Sequence, residues 1–394
     1  MKRKNNFFAI LMKFASYILV AAVASGITFW MCLGIGPVGG SKLQQLQALI
    51  QEKFVDIGKV DMTKVEDAAA QAMVQALGDR WSYYIPASEF QALMDQKANE
   101  YVGVGLTITP REDNIGFDIL KVENGGGAQE AGIKAGDILI AVEDKNVVQL
   151  GTTGCRELIQ GAEGTKVNVT VLRDGQEMKF TLTRKRIKVA VAEGKLLDGN
   201  IGYIAIKNFD DRCATETKAM IEQLKSQGAT SLIFDVRNNP GGYKHELVAL
   251  LDYLLPKGEV FRSQSYTGAT EVDYSDDSCL KMPMAVLVNS ESYSAAEFFA
   301  AALEEYDWAI VVGAQTCGKG HYQNTFQFTD GSGVGLSTGK YFTPKKNICL
   351  EDVGGLVPDV PVEVDDETFQ KIYAGLLPPE EDPQVQAAVA ALKG

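Results

Sequence analysis

The sequence predicts an α/β protein that carries a compact β-rich module and a short helical region ahead of its main sheet. Three observations predict it. From residue 201 onward, apolar runs of strand length at 201–206, 231–236, 284–289 and 308–312 alternate with helical patterns at 214–226, 243–255 and 294–305. Such alternation describes sheet strands buried on both faces beneath helices. Between residues 101 and 186 the texture is instead short β-rich runs, at 105–109, 117–122, 137–142, 166–173 and 178–184, with turns between them and one short helical pattern at 155–160. Residues 42–98 show helical periodicity, as in Leu43, Leu46, Leu49 and Ile50.

The elements follow in order from the amino terminus. Lys2, Arg3 and Lys4 precede a run of 22 residues, 14–35, that contains no charged side chain. That is long enough to cross a bilayer as a helix. Basic residues before the run place residues 1–13 in the cytoplasm and the remainder outside, as a single-pass anchor at the cell membrane. Ala22-Val23-Ala24 is also an A-x-A sequence of the kind a signal peptidase cuts, so a secreted form is the alternative. The helical region at 41–99 is interrupted by the turn Gly78-Asp79-Arg80, an aromatic loop and a third short helix at 89–94. The β-rich module follows at 100–186, the α/β part at 187–368, and an acidic, alanine-rich tail at 369–394.

Length and charge bound the rest. A chain of 394 residues accommodates two or three domains, and its net charge of −13 is spread along the sequence with no basic stripe, which excludes nucleic acid as a partner. Six cysteines in so long a chain are no disulfide framework, and Cys279 and Cys349 pair only if the fold brings them together. No cluster of metal ligands and no phosphate-binding loop stands out, so no cofactor is implied.

Three loops follow apolar runs in the α/β part, where sites gather in such sheets. They are Arg237-Asn238-Asn239-Pro240-Gly241-Gly242, then Ser290 to Ser294, then Thr316-Cys317-Gly318-Lys319-Gly320. Ser294-Ala295-Ala296-Glu297 reads as a capping box at a helix start. A nucleophilic serine needs a base, and the chain has only two histidines, His245 and His321. A lysine does the same work once burial lowers its pKa, and Lys319 sits between two glycines that let the backbone pass close to another loop. Cys317 is a second candidate nucleophile with no obvious partner for its thiolate.

Together the Arg-Asn-Asn-Pro-Gly-Gly segment, Ser292-Tyr293-Ser294-Ala295-Ala296-Glu297, and Gly318-Lys319-Gly320 with Gln323 resemble the signature segments of the carboxyl-terminal processing peptidases, or tail-specific proteases. The β-rich module resembles the PDZ domain of that family, with Gly132 to Asp137 as its characteristic turn, and Gly78 to Pro86 resembles the segment before it. The likeness covers roughly residues 60–365. It implies a crotonase-like ββα-type protease core with an inserted PDZ domain, Ser294 as nucleophile, Lys319 as general base and Gln323 as the residue that orients the lysine. It also implies an oxyanion hole from the N–H groups of Ala295 and Gly241, and capture of a substrate carboxyl terminus along Val102, Gly103, Val104, Gly105 and Leu106. Ser292 is implied to be structural.

Departures from the family pattern are Tyr293 beside the serine, Ala296 where a further serine is common, Gln160 where many relatives show arginine, and Cys317 and His321 beside the lysine. The implied protein is a serine endopeptidase acting on exported or cell-envelope proteins with free carboxyl termini and anchored to the cytoplasmic membrane, with residues 42–77 either a homodimerisation region or a helical linker. A catalytically inactive, PDZ-containing peptide-binding scaffold is the alternative.

Overall fold

The structure, a computed structural model, describes residues 40–393. The apolar run at 14–35 lies outside the described residues, and among those described no helix is long and apolar enough to cross a membrane. The chain divides into two compact units at residue 70. In the first, the Lys42–Lys53 helix opens with a reciprocal cap in which the Gln44 N–H donates to Ser41 and the Ser41 N–H donates to the Gln44 side chain. Leu43, Leu46 and Leu49 on this helix are exposed.

The second unit is built around a six-stranded sheet. Its order is Ala192–Leu197, Ile201–Ile206, Ser231–Asp235, Met284–Val288, Ala309–Gly313 and Val360–Pro361; only the first pair is antiparallel. Every residue of Ser231–Asp235 and Met284–Val288 is buried, which explains their unbroken apolar character. One face packs against the helices Cys213–Ser226, Lys244–Leu254 and Ala295–Glu305 through Phe209, Phe234, Phe298 and Phe299. On the other face lies the helix Pro383–Lys393, whose Val385 and Ala388 meet Ile233, Ala285 and Leu287. The tail expected at 369–394 therefore contributes a layer of the core.

A second, five-stranded antiparallel sheet was not legible in the sequence. It joins Tyr83–Ile85, Gly333–Phe342, Gly258–Ser265 and Thr270–Ser275, with His321–Gln327 also paired to Gly333–Phe342. The strand Gly333–Phe342 carries three glycines where a side chain would strike Phe90, Tyr83 and Tyr322 respectively, at Gly333, Gly335 and Gly339. Aromatic rings laid across glycines hold this sheet together, and glycine is a weak strand signal in a sequence.

The β-rich module has its own sheet, in the order Leu106–Pro110, Phe117–Val122, Ile138–Val142, Lys166–Arg173 and Gln176–Thr183, and its own core around Ile119, Leu139, Val171 and Leu182. Its helix runs Val147–Ile159, longer than the pattern at 155–160, because Gly151 adopts a non-helical φ of 67° and breaks the periodicity. The chain enters and leaves the module as a two-stranded ribbon, Glu100–Gly103 against Lys185–Lys188. Beneath it, the Arg212 guanidinium donates to the carbonyls of Asn99 and Val189, one on each arm of the ribbon.

Candidate active site

The Arg-Asn-Asn-Pro-Gly-Gly loop leaves the central strand Ser231–Asp235 and is held from below. Arg237 is buried and donates to both oxygens of Asp235, to Asp382 at 2.7 Å and to the Gln384 side chain at 2.8 Å. Asn239, fully buried, donates to the Ile206 carbonyl at 2.7 Å and accepts the Gly241 N–H at 2.9 Å. Gly241 has a φ of 85°, and a Cβ there would lie 2.7 Å from Ser294 Cβ and 2.8 Å from the Ala295 nitrogen. Only glycine allows that approach.

The two serines of the next loop have different surroundings. Ser292 is completely buried, and its hydroxyl donates to the Val236 carbonyl at 2.7 Å and accepts the Asn289 N–H at 3.1 Å, which makes it a strut between two strand ends. Ser294 is half-buried and starts the Ala295–Glu305 helix with φ 59° and ψ −127°, a conformation that non-glycine residues rarely adopt. Its Oγ accepts a hydrogen bond from the Tyr341 hydroxyl at 2.8 Å. The Ala295 N–H, first in the helix, points away from any intrahelical carbonyl, as the first N–H groups of a helix must.

Glu297 does more than cap that helix. Fully buried, its carboxylate accepts the N–H of Ser294 at 2.9 Å, the Thr316 hydroxyl at 2.5 Å, and the N–H groups of Gly318 at 2.7 Å and Lys319 at 2.8 Å. Burial pushes its pKa up while the four donors pull it down. One side chain thus ties the serine to the lysine loop.

The Lys319 amine reaches no carboxylate among the described residues. Its Nζ lies 4.8 Å from the Trp81 ring centre and 5.8 Å from that of Tyr293, beside two stacked rings whose centres are 6.1 Å apart. Burial, with the positive charge of Lys97 next in importance, pushes its pKa down from 10.5 to about 8. Trp81 is fixed by its indole N–H on Glu351 at 3.3 Å and by the Arg80 guanidinium 4.1 Å above its ring. Arg80 in turn points at Cys317 Sγ.

Several residues singled out in the sequence sit otherwise than expected. Gln323 donates to the His321 carbonyl at 3.1 Å and to Ser337 Oγ at 3.0 Å and makes no hydrogen bond to Lys319, because its strand turns the amide toward Gly333–Phe342. The Gly241 N–H is occupied by Asn239 rather than free. His321 pairs with Glu351, and His245 is an exposed residue stacked on Tyr243, so neither reaches Ser294. Val102 and Gly103 pair with Arg186 and Lys185 in the ribbon. Of the segment expected to hold a peptide, Val104 and Gly105 use their carbonyls for Ala128 and Glu123, and Leu106 begins the strand at the outer edge of the module's sheet. The five described cysteines are free thiols, Cys279 and Cys349 among them. Sequence reading missed Tyr341, Trp81 and the span of Glu297; only the capping-box spacing hinted at the last.

A profile of peptidase family S41 matches residues 200–362, and one of the PDZ domain matches residues 119–173. The carboxy-terminal processing protease CtpA of Bacillus subtilis is 30% identical over 377 residues, 93% of this chain and 79% of that protein. The chain belongs to the carboxyl-terminal processing peptidases of family S41. The carboxyl-terminal-processing protease of Synechocystis is 29% identical, over 88% of this chain and 81% of that one. The crystal structure of a Bacteroides fragilis protein assigned to the S41 proteases aligns over 91% of this chain and 99% of its own with a TM-score of 0.57 at 15% identity, a likeness of fold. This S41 peptidase is accordingly a serine carboxyl-terminal processing protease, its layered α/β core joined to a PDZ domain.

Proposed function

We propose that this S41 peptidase cleaves exported proteins with a Ser-Lys dyad, Ser294 attacking and Lys319 taking its proton. The observation that carries the reading is the Lys319 amine. It is half-buried with no carboxylate partner among the described residues and has a pKa near 8, and its backbone N–H shares the Glu297 carboxylate with the N–H of Ser294. A neutral amine of that basicity accepts a serine proton near physiological pH. The scissile carbonyl is attacked by Ser294 Oγ, an acyl-enzyme forms as the amine product leaves with the proton from Lys319, and water then releases the acyl group. The Ala295 N–H at a helix start, with its positive dipole end, suits the oxyanion.

In the resting arrangement the amine lies beside the Trp81 and Tyr293 rings, Gln323 faces Ser337 and the Gly241 N–H faces Asn239. Catalysis by this route requires substrate to draw Lys319 away from the two rings and to free the Gly241 N–H; catalytic hydrogen bonds commonly tighten only in the complex. The substrate is a protein carboxyl terminus added as a strand to the open edge at Leu106–Pro110, its carboxylate on the Val104-Gly105-Leu106 loop. We further infer a crotonase-like core, an anchor formed by residues 14–35 with the catalytic part outside the cytoplasmic membrane, and a secreted form should that segment be cut.

The test is treatment of the full chain with a fluorophosphonate, peptide mapping of the label, and casein cleavage, run beside Ser294→Ala and Lys319→Ala. Label on Ser294 with cleavage by the wild type alone is expected. Casein cleavage by Lys319→Ala at the wild-type rate would remove the lysine from the mechanism.

A further inference from the structure

Tyr341 is used by none of the roles above, yet it touches the reacting atom. It lies near the end of the Gly333–Phe342 strand, 4% exposed, and its hydroxyl donates to Ser294 Oγ at 2.8 Å. Its ring is fixed by edge contact with Phe298, centroids 4.4 Å apart, and by Phe261 and Tyr322 at 5.7 and 6.3 Å. The Tyr341 N–H donates at 3.0 Å to the carbonyl of Gly320, the residue after Lys319. One residue therefore reaches the serine with its side chain and the lysine loop with its backbone.

The valence of the serine hydroxyl decides what this contact can do. A hydroxyl has one proton to give and two lone pairs. With Tyr341 donating to one lone pair and the Glu297 N–H of the reciprocal cap facing the other, Oγ keeps its proton for the base, and the electron pair released as that proton leaves attacks the carbonyl carbon. A fixed donor also selects one Oγ rotamer out of three. As the proton leaves, negative charge grows on Oγ, and a donor already in place then binds more strongly than it did to the neutral hydroxyl. Burial pushes the phenol pKa well up, so the hydroxyl stays protonated and remains a donor.

We propose that Tyr341 is a third catalytic residue of this peptidase, a hydrogen-bond donor that aims Ser294 Oγ and stabilises the charge that develops there. The inference rests on the assignment of Ser294 and Lys319. In the acylation step the Oγ–H bond breaks with its proton passing to Lys319 Nζ, the Oγ–C bond forms, and the carbonyl π pair moves to oxygen. Tyr341 keeps its proton throughout. Once Oγ is an ester oxygen it is a poorer acceptor, so the contact weakens in the acyl-enzyme and is restored when water regenerates the serine.

The test is Tyr341→Phe, which keeps the ring and removes only the hydroxyl, with Tyr322→Phe as a neighbouring control that does not reach Ser294. Fluorophosphonate labelling rates, kcat and KM on a peptide amide from pH 6 to 10, and melting temperatures are measured on the full chain. Expected for Tyr341→Phe are labelling and kcat reduced roughly 10- to 100-fold at every pH, KM within about twofold and an unmoved pH midpoint. The control should behave as wild type. Label on Ser294 in the wild type and none in Ser294→Ala separates the two questions. Given that result, an unchanged or faster rate in Tyr341→Phe, or a loss confined to KM, overturns the role of Tyr341 and leaves the nucleophile standing. No label at all in the wild type removes the nucleophile, and the role of Tyr341 with it.

Discussion

Two cations lie beside neighbouring loops of this protein, Arg237 buried and Lys319 half-buried; desolvation lowers the pKa of both, and their different partners send the two in opposite directions. Arg237 is surrounded by Asp235, Asp382 and the Gln384 side chain, and these carboxylates raise its pKa despite the cost of desolvation. Lys319 has aromatic faces and, among the described residues, no carboxylate within hydrogen-bond reach, and desolvation drives its pKa down to about 8. Full pairing makes a structural peg, because each charge is cancelled where it lies. Withholding the partner leaves an amine that can lose its proton, at a cost in stability.

The largest effect that would break this contrast is Lys319→Met. We expect peptidase activity to fall at least about 10,000-fold, with the fold intact. The same variant should be more stable. In the wild type the folded pKa near 8 lies below the reference of 10.5, so the unfolded chain binds more protons between those values and stability rises with pH across that window. Below pH 8 the cost is fully present, and relieving it should add about 1–3 kcal/mol at pH 7, an advantage that fades toward pH 10.5 in urea titrations.

Asp382→Ala is next and tests the paired cluster. It leaves Arg237 half-compensated and removes the acceptor for the Gln384 N–H at the start of the carboxyl-terminal helix. A loss of about 3–5 kcal/mol in unfolding free energy is expected. A loss under about 1 kcal/mol would mean that the cluster is not a peg.

Glu297→Gln sharpens the comparison, since it deletes the charge that organises the lysine loop without touching the amine. An amide places N–H groups against N–H donors, and a stability loss of about 2–3 kcal/mol with slower acylation should follow. The smallest expected effect is in Lys97→Met. Lys97 helps to hold the Lys319 pKa down, and its removal should shift the midpoint of the kcat/KM profile upward from about 8 by a few tenths of a unit. A downward shift would rule out Lys319 as the titrating group.

Reading the sequence located the strands Ile201–Ile206, Ser231–Asp235, Met284–Val288 and Ala309–Gly313 to within about a residue or two, because strands buried on both faces are unbroken apolar runs. The antiparallel sheet escaped, since Gly333–Phe342 is glycine-rich and the rings that cover its glycines come from distant segments, Tyr83 and Tyr322 on other strands and Phe90 on a helix. Trp81 met Lys319 and Tyr341 met Ser294 only through that sheet, which brings Ser82 against Ser337 across 255 residues. The carboxyl-terminal helix was hidden for a similar reason. Its alanines carry little pattern, and Asp382 has meaning only opposite Arg237.

By itself the sequence determined which chemical groups are present: a serine at a helix start, a lysine between glycines, a Pro-Gly-Gly turn after an apolar strand, and a β-rich module. Those are properties of residue types and spacing. Tertiary structure alone decided that Lys319 is desolvated without a counter-ion, that Glu297 joins its loop to the serine, and that a tyrosine hydroxyl rests on Oγ. Desolvation and hydrogen-bond geometry depend on distances between segments far apart in the chain, and no local pattern encodes them.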